Sequence, residues 1–165
     1  MLYIAKQQKV RKIIRLFIWI VLILIVVVTL IGFPIRINVE ALEINFSEPD
    51  HVVKRTVQVQ GRYRFRFFVR EHKFIGYIRI LEYPETLERV RDITMHQTPY
   101  ASDIRTGLLV YTNGFGTIYQ GSSLFREPWL IVVGGSLFDS KVIVPNVSSR
   151  EEAIQVVHWF VRFAD

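Results

Sequence analysis

Arginine recurs at every second position in Arg62, Arg64 and Arg66. On an extended strand that spacing puts all three guanidinium groups on one face. A second alternating segment, Phe74–Leu81, carries Tyr77 and Arg79 on a matching face. A guanidinium offers a planar fork of N–H donors to phosphate or carboxylate oxygens and keeps its charge. The chemistry open to this set is binding of an anion: a lipid head group, a phosphate-rich wall polymer or an acidic protein patch. Like charges facing each other across strands are unfavourable unless an anion lies nearby. The competing reading is a solvated sheet face balanced by Glu71, Glu82 or acids of a neighbouring strand. Arg62, Arg64, Arg66, Tyr77 and Arg79 are the candidate binding residues.

No comparable pattern supports catalysis. His51, His72, His96 and His158 have no histidine or cysteine three or four residues away. Ser122, Ser123 and Ser136 stand by glycines, but none in a Gly-x-Ser-x-Gly elbow. Glycines 114, 116, 121, 134 and 135 form no phosphate-binding fingerprint and read as strand punctuation. The absence of cysteine removes disulfides, thiolate metal sites, a thiol nucleophile and a lipidated cysteine. No metal or cofactor is expected. An enzyme would need a dispersed site converging from loops, for instance His96, Asp103 and Ser136. Asn45-Phe-Ser47 and Asn146-Val-Ser148 match the glycosylation sequon, which matters only in a eukaryotic secretory pathway.

The chain has 165 residues, and its net charge of +6 is unevenly placed. Lys6, Lys9, Arg11, Lys12 and Arg15 precede residue 36 without an acid; the other 16 basic residues face 15 acidic ones. The segment beyond residue 35 is therefore near neutral and lacks the broad field that nucleic-acid binding draws on. From Leu16 to Ile35 no side chain is charged. Twenty helical residues span about 30 Å, the thickness of a bilayer core. Residues 1–12 read as a basic cytoplasmic flank, 13–35 as a transmembrane helix in contact with the lipid bilayer, and 36–165 as an extracytoplasmic domain. An uncleaved signal anchor competes with cleavage after Val39-Glu40-Ala41, which carries small-residue spacing but lies beyond the apolar run.

The elements that must position the arginines are strands. Ile35, Ile37 and Val39 alternate with polar residues, and the phase then moves to Leu42, Ile44 and Phe46; a bulge near Ala41 would account for the shift. Val57 to Val69 alternates apolar and polar with Gly61 at a bend. A turn centred on Glu71-His72 pairs Val69 with Phe74, Phe67 with Gly76, Phe65 with Ile78 and Tyr63 with Ile80. It sets Arg64 opposite Arg79 and Arg66 opposite Tyr77. Residues 84–106 read as a long loop with a short helix near Glu85–Arg91. Asn113-Gly114 joins a hairpin of Leu108–Thr112 and Phe115–Tyr119. Trp129–Val133 and Lys141–Val144 are short buried strands. Ser148 or Ser149 with Glu151 or Glu152 caps a C-terminal helix whose apolar stripe is Ala153, Val157, Phe160 and Ala164.

The total is an α+β chain: an N-terminal transmembrane helix, then a mainly antiparallel β roll or small barrel of about seven strands with a C-terminal helix. Its order of elements resembles the layout of pleckstrin-homology-like domains. Gly116-Thr-Ile-Tyr119, Leu124-Phe125, Val142-Ile-Val-Pro145, Arg150-Glu-Glu-Ala153 and Phe74-Ile-Gly-Tyr-Ile78 resemble segments of small uncharacterised single-pass membrane proteins of Gram-positive bacteria. The chain departs from them at Asn146, where alanine is common. That resemblance implies a membrane location and carries no activity. The expected function is a membrane-anchored, extracytoplasmic binding or accessory domain with an anionic envelope component or a membrane protein as partner. A cell-envelope enzyme and a structural subunit of a membrane complex are the alternatives.

Overall fold

The computed structural model describes residues 2–65, 71–87, 92–97, 104–111, 114–121, 125, 128–134 and 140–162, with side chains omitted at 2–9, 85, 111, 114 and 115. Helix α1 runs Leu2–Ile31. Its stretch Val10–Ile31 is long and apolar enough to cross a membrane, and none of its residues is buried by the rest of the chain. Ile13, Leu16, Phe17, Trp19 and Leu30 are all more than 60% exposed, a large apolar surface that the barrel does not bury. Thr29 satisfies its hydroxyl on the carbonyl of Ile25, 2.7 Å away within the helix. The helix stops earlier than the uncharged run does. Gly32, at φ +84°, takes the left-handed turn that ends it, and Phe33–Ile35 already belong to strand β1. The uncharged helical part is thus Leu16–Ile31, about 24 Å long.

Eight strands follow: β1 Phe33–Asn45, β2 Val52–Arg64, β3 Glu71–Ile80, β4 Ile93–Gln97, β5 Arg105–Tyr111, β6 Gly114–Gln120, β7 Trp129–Val133 and β8 Lys141–Pro145. Each pairs with the next in antiparallel fashion, and β8 returns to β1 to close a barrel. Helix α2, Arg150–Val161, ends the described chain. Ser149 is its N-cap and accepts from the amide of Glu152, whose carboxylate takes the amide and hydroxyl of Ser148.

The barrel is filled rather than hollow. Ile35, Val57, Val59, Tyr63, Phe74, Ile78, Ile80, Leu109, Ile118, Ile131 and Ile143 pack inside it. A second cluster lies outside: α2 buries Ala153, Val157 and Phe160 against Ile44, Leu130, Val132, Val142 and Val144. This helix is why β7 and β8 read as continuous apolar runs, for both of their faces are covered.

Four sequence expectations need correction. No bulge interrupts β1, which pairs with β2 continuously from Phe33↔Tyr63 to Ile44↔Val52. The apparent phase shift is a change of covering: Leu42 and Ile44 point outward and are buried under other elements. Residues 84–106 are not one long loop. A 3₁₀ turn covers Pro84–Thr86, residues 88–91 of the expected helix lie outside the described residues, and Ile93–Gln97 is a strand. The hairpin of β2 and β3 exists, but Tyr63 pairs with Phe74 and Val57 with Ile80, six residues from the expected register. Six is even, so the inward and outward faces are kept while every partner changes. Glu71 and His72 lie within β3, not in the turn. Likewise Tyr111 pairs with Gly114, which puts Gly114 in its strand rather than in the connection.

Candidate functional site

The outward face of β1, β2 and β3 builds a groove of about 800 Å³ where the barrel meets α1. Its residues come in cross-strand rows. Pro34, Arg62 and Ile75 form the row nearest the helix; Arg36, Gln60 and Tyr77 form the next; Arg79 lies beyond. Between the two rows, Gly61 pairs with Gly76. A Cβ on Gly61 would stand 2.4 Å from the carbonyl oxygen of Ile75 and 2.8 Å from the Phe74 ring, so only glycine allows this approach. Both glycines share the inward phase, beneath the Phe74 ring, and their bare backbone lines the groove between the two rows.

Arg62, Arg64, Tyr77 and Arg79, chosen from the sequence, all line this groove; Arg66 lies outside the described residues. Their pairing differs from the expected one. Arg64 faces Lys73, Arg62 faces Ile75, and Arg79 faces Gln58. Arg36 and Gln60 join them without having been singled out. The Arg79 guanidinium stacks 4.0 Å above the ring of Tyr77, and the Tyr77 hydroxyl donates to the Gln60 side chain. Among the described residues no carboxylate comes within ion-pair distance of Arg36, Arg62, Arg64 or Arg79. The Nε atoms of Arg64 and Arg79 are shielded from water and have no hydrogen-bond partner among those residues. Four cations line the groove and no acid is among its lining residues, which makes it a site for an anion.

A second polar cluster sits inside the barrel at the opposite end of β2. Glu43 is fully buried. His51 Nε2 and Arg55 Nε lie 2.7 Å from its two oxygens, the Tyr83 hydroxyl donates to it at 2.8 Å, and Lys141 Nζ stands 3.6 Å away. Burial by itself would raise the pKa of this carboxyl; the bonds from Arg55, His51 and Tyr83 outweigh it and hold the value at about 2. Burial and the bond to Glu43 push the Tyr83 hydroxyl up in turn. Every oxygen here is satisfied, so the cluster clasps β1, β2 and β8 rather than awaiting a ligand. The sequence reading missed it because its members lie 8, 12, 40 and 98 positions from Glu43. One signal was present: Glu43 continues the inward phase of Ile35, Ile37, Val39 and Ala41.

At the other end of the barrel the Tyr63 hydroxyl lies 3.0 Å from His72 Nδ1. Burial, and then the nearby Arg105 charge, lower His72 to about 4. His96 stands exposed beside Glu71 at 3.3 Å, while Asp103 and Ser136, the other members of the dispersed set, lie outside the described residues. No group of three potential metal ligands occurs among the described residues.

Fold and groove together define a barrel tethered to a membrane-length helix, with a basic groove at the junction. No protein-family model, no curated protein and no solved structure matches the chain.

Proposed function

We propose that this chain is a membrane-anchored binding module that recognises an anionic partner through its basic groove, with the N-terminal flank in the cytoplasm and the barrel on the far side of the membrane. The reading rests on one observation above all: the Arg36, Arg62, Arg64 and Arg79 side chains share a groove with no carboxylate in ion-pair reach among the described residues. The five cations before the apolar run support the orientation. The filled barrel supports surface binding over catalysis in an interior pocket.

Binding to the native state raises the melting temperature, so the test is thermal. Full-length protein in a neutral detergent is melted with polyphosphate, glycerol phosphate, an acidic peptide or short-chain phosphatidylglycerol. At least one should stabilise the wild type, and none should stabilise the Arg62→Gln, Arg64→Gln, Arg79→Gln triple variant. A wild type that ignores the whole panel would remove the groove as a binding site.

A further inference from the structure

We propose that the groove seats the phosphodiester head group of an anionic glycerophospholipid, taken from the leaflet in which α1 ends. This deepens the basic-groove reading and depends on it. The first argument is height. Only Gly32 separates the last helical residue, Ile31, from β1. A strand advances about 3.3 Å per residue, so Pro34 lies within about 10 Å of Ile31 and Arg36 within about 17 Å. The head-group zone of one leaflet is roughly 5–8 Å thick. The row of Pro34 and Arg62 therefore starts at head-group level, and long side chains cover the remainder.

The second argument is length. The span Val10–Ile31, 22 residues, covers about 33 Å, close to a bilayer core of about 30 Å, so no stretch of helix is left over to lift the barrel away from the lipid. The third is rigidity. A Cβ on Gly32 would meet the Cγ of Arg64 at 2.9 Å, so helix exit and groove cation are packed against each other rather than joined by a tether. The fourth is lining. Pro34, Ile75 and the Tyr77 ring put apolar surface beside the arginines, a mix suited to a phosphate with its glycerol backbone.

The chain has no cysteine, so one can be placed at will. Asn38→Cys, exposed beside the groove, carries an environment-sensitive dye in full-length protein reconstituted into nanodiscs. Increasing phosphatidylglycerol in phosphatidylcholine should shift the dye signal to saturation. At about 1 kcal/mol per surface cation, the triple glutamine variant should bind on the order of 100-fold more weakly, which reads as no response at accessible lipid fractions. An unchanged melting temperature checks that the variant folds. Equal signals in the two lipids, or a phosphatidylglycerol response kept by the variant, overturn the lipid assignment. A response to dissolved glycerol phosphate in phosphatidylcholine discs, with none to phosphatidylglycerol, overturns it too but leaves the basic groove as an anion site. Silence toward lipid and dissolved anions alike overturns both.

Discussion

Glu43 is the residue on which the closed end of the barrel turns. It is fully buried, yet it holds two cations, a histidine and a tyrosine within 3.6 Å. Taking away its charge while leaving Arg55 in place strands a cation, which costs about 3–5 kcal/mol in buried pairs. Glu43→Gln should therefore lower stability by about 3 kcal/mol in chemical unfolding of the full-length protein, and a loss under 1 kcal/mol would mean the clasp is not what closes this end. Acid should act in two windows. His72 is depressed from 6.5 to about 4, so the stability it contributes is whole above pH 6.5 and drains away between 6.5 and 4. Glu43 is depressed from 4.5 to about 2, so its share is whole above pH 4.5 and is lost between 4.5 and 2. A melting temperature that falls from pH 6.5 downward in the wild type, and only below 4.5 in His72→Phe, would separate the two groups. The sequence could name the groove arginines because alternation alone sets their face. It could not name the Glu43 clasp, because nothing local joins positions 43, 83 and 141.

At the scale of the element, the β2–β3 hairpin carries the groove. Alternation of apolar residues was enough to assign both strands and both faces. The register was not legible, since slips of two, four or six residues keep apolar facing apolar. The pairing of Gly61 with Gly76 decides it: these are the two positions where the backbones approach too closely for a side chain. Gly61→Ala should cost roughly 1–3 kcal/mol through overpacking and should distort the groove, visible as a lowered melting temperature together with a weakened response to anions. A neutral outcome would show that this close approach relaxes freely. Strand β4 escaped the sequence reading because it has only five residues, Ile93–Gln97, of which two are buried, too few for a period to emerge. Helix α2 was legible from its capping serines and its stripe, Ala153, Val157 and Phe160.

Across the whole molecule, a membrane-length helix passes into a closed barrel with a single residue between them. Protease added to intact cells or spheroplasts should remove a C-terminal tag from the membrane-bound full-length chain. A tag that survives shaving would place the barrel in the cytoplasm and turn the groove toward the inner leaflet. Among the described residues β8 pairs on β1 only with Ala41–Asn45, so the half of β1 nearest α1 has no strand partner on that edge among those residues. Pro34 and Arg36 in that half discourage pairing with another chain. The sequence by itself determined the apolar helix, the antiparallel β architecture, the C-terminal helix and the shared face of the arginines. Each follows from a period or a composition that operates within a few neighbouring residues. Only the tertiary structure decided the eighth strand, the hairpin register, the burial of Glu43 and the sharing of one groove by Arg36 and Arg79, because these depend on strand pairing and on barrel closure, which bring together residues whose separation along the chain no local pattern records.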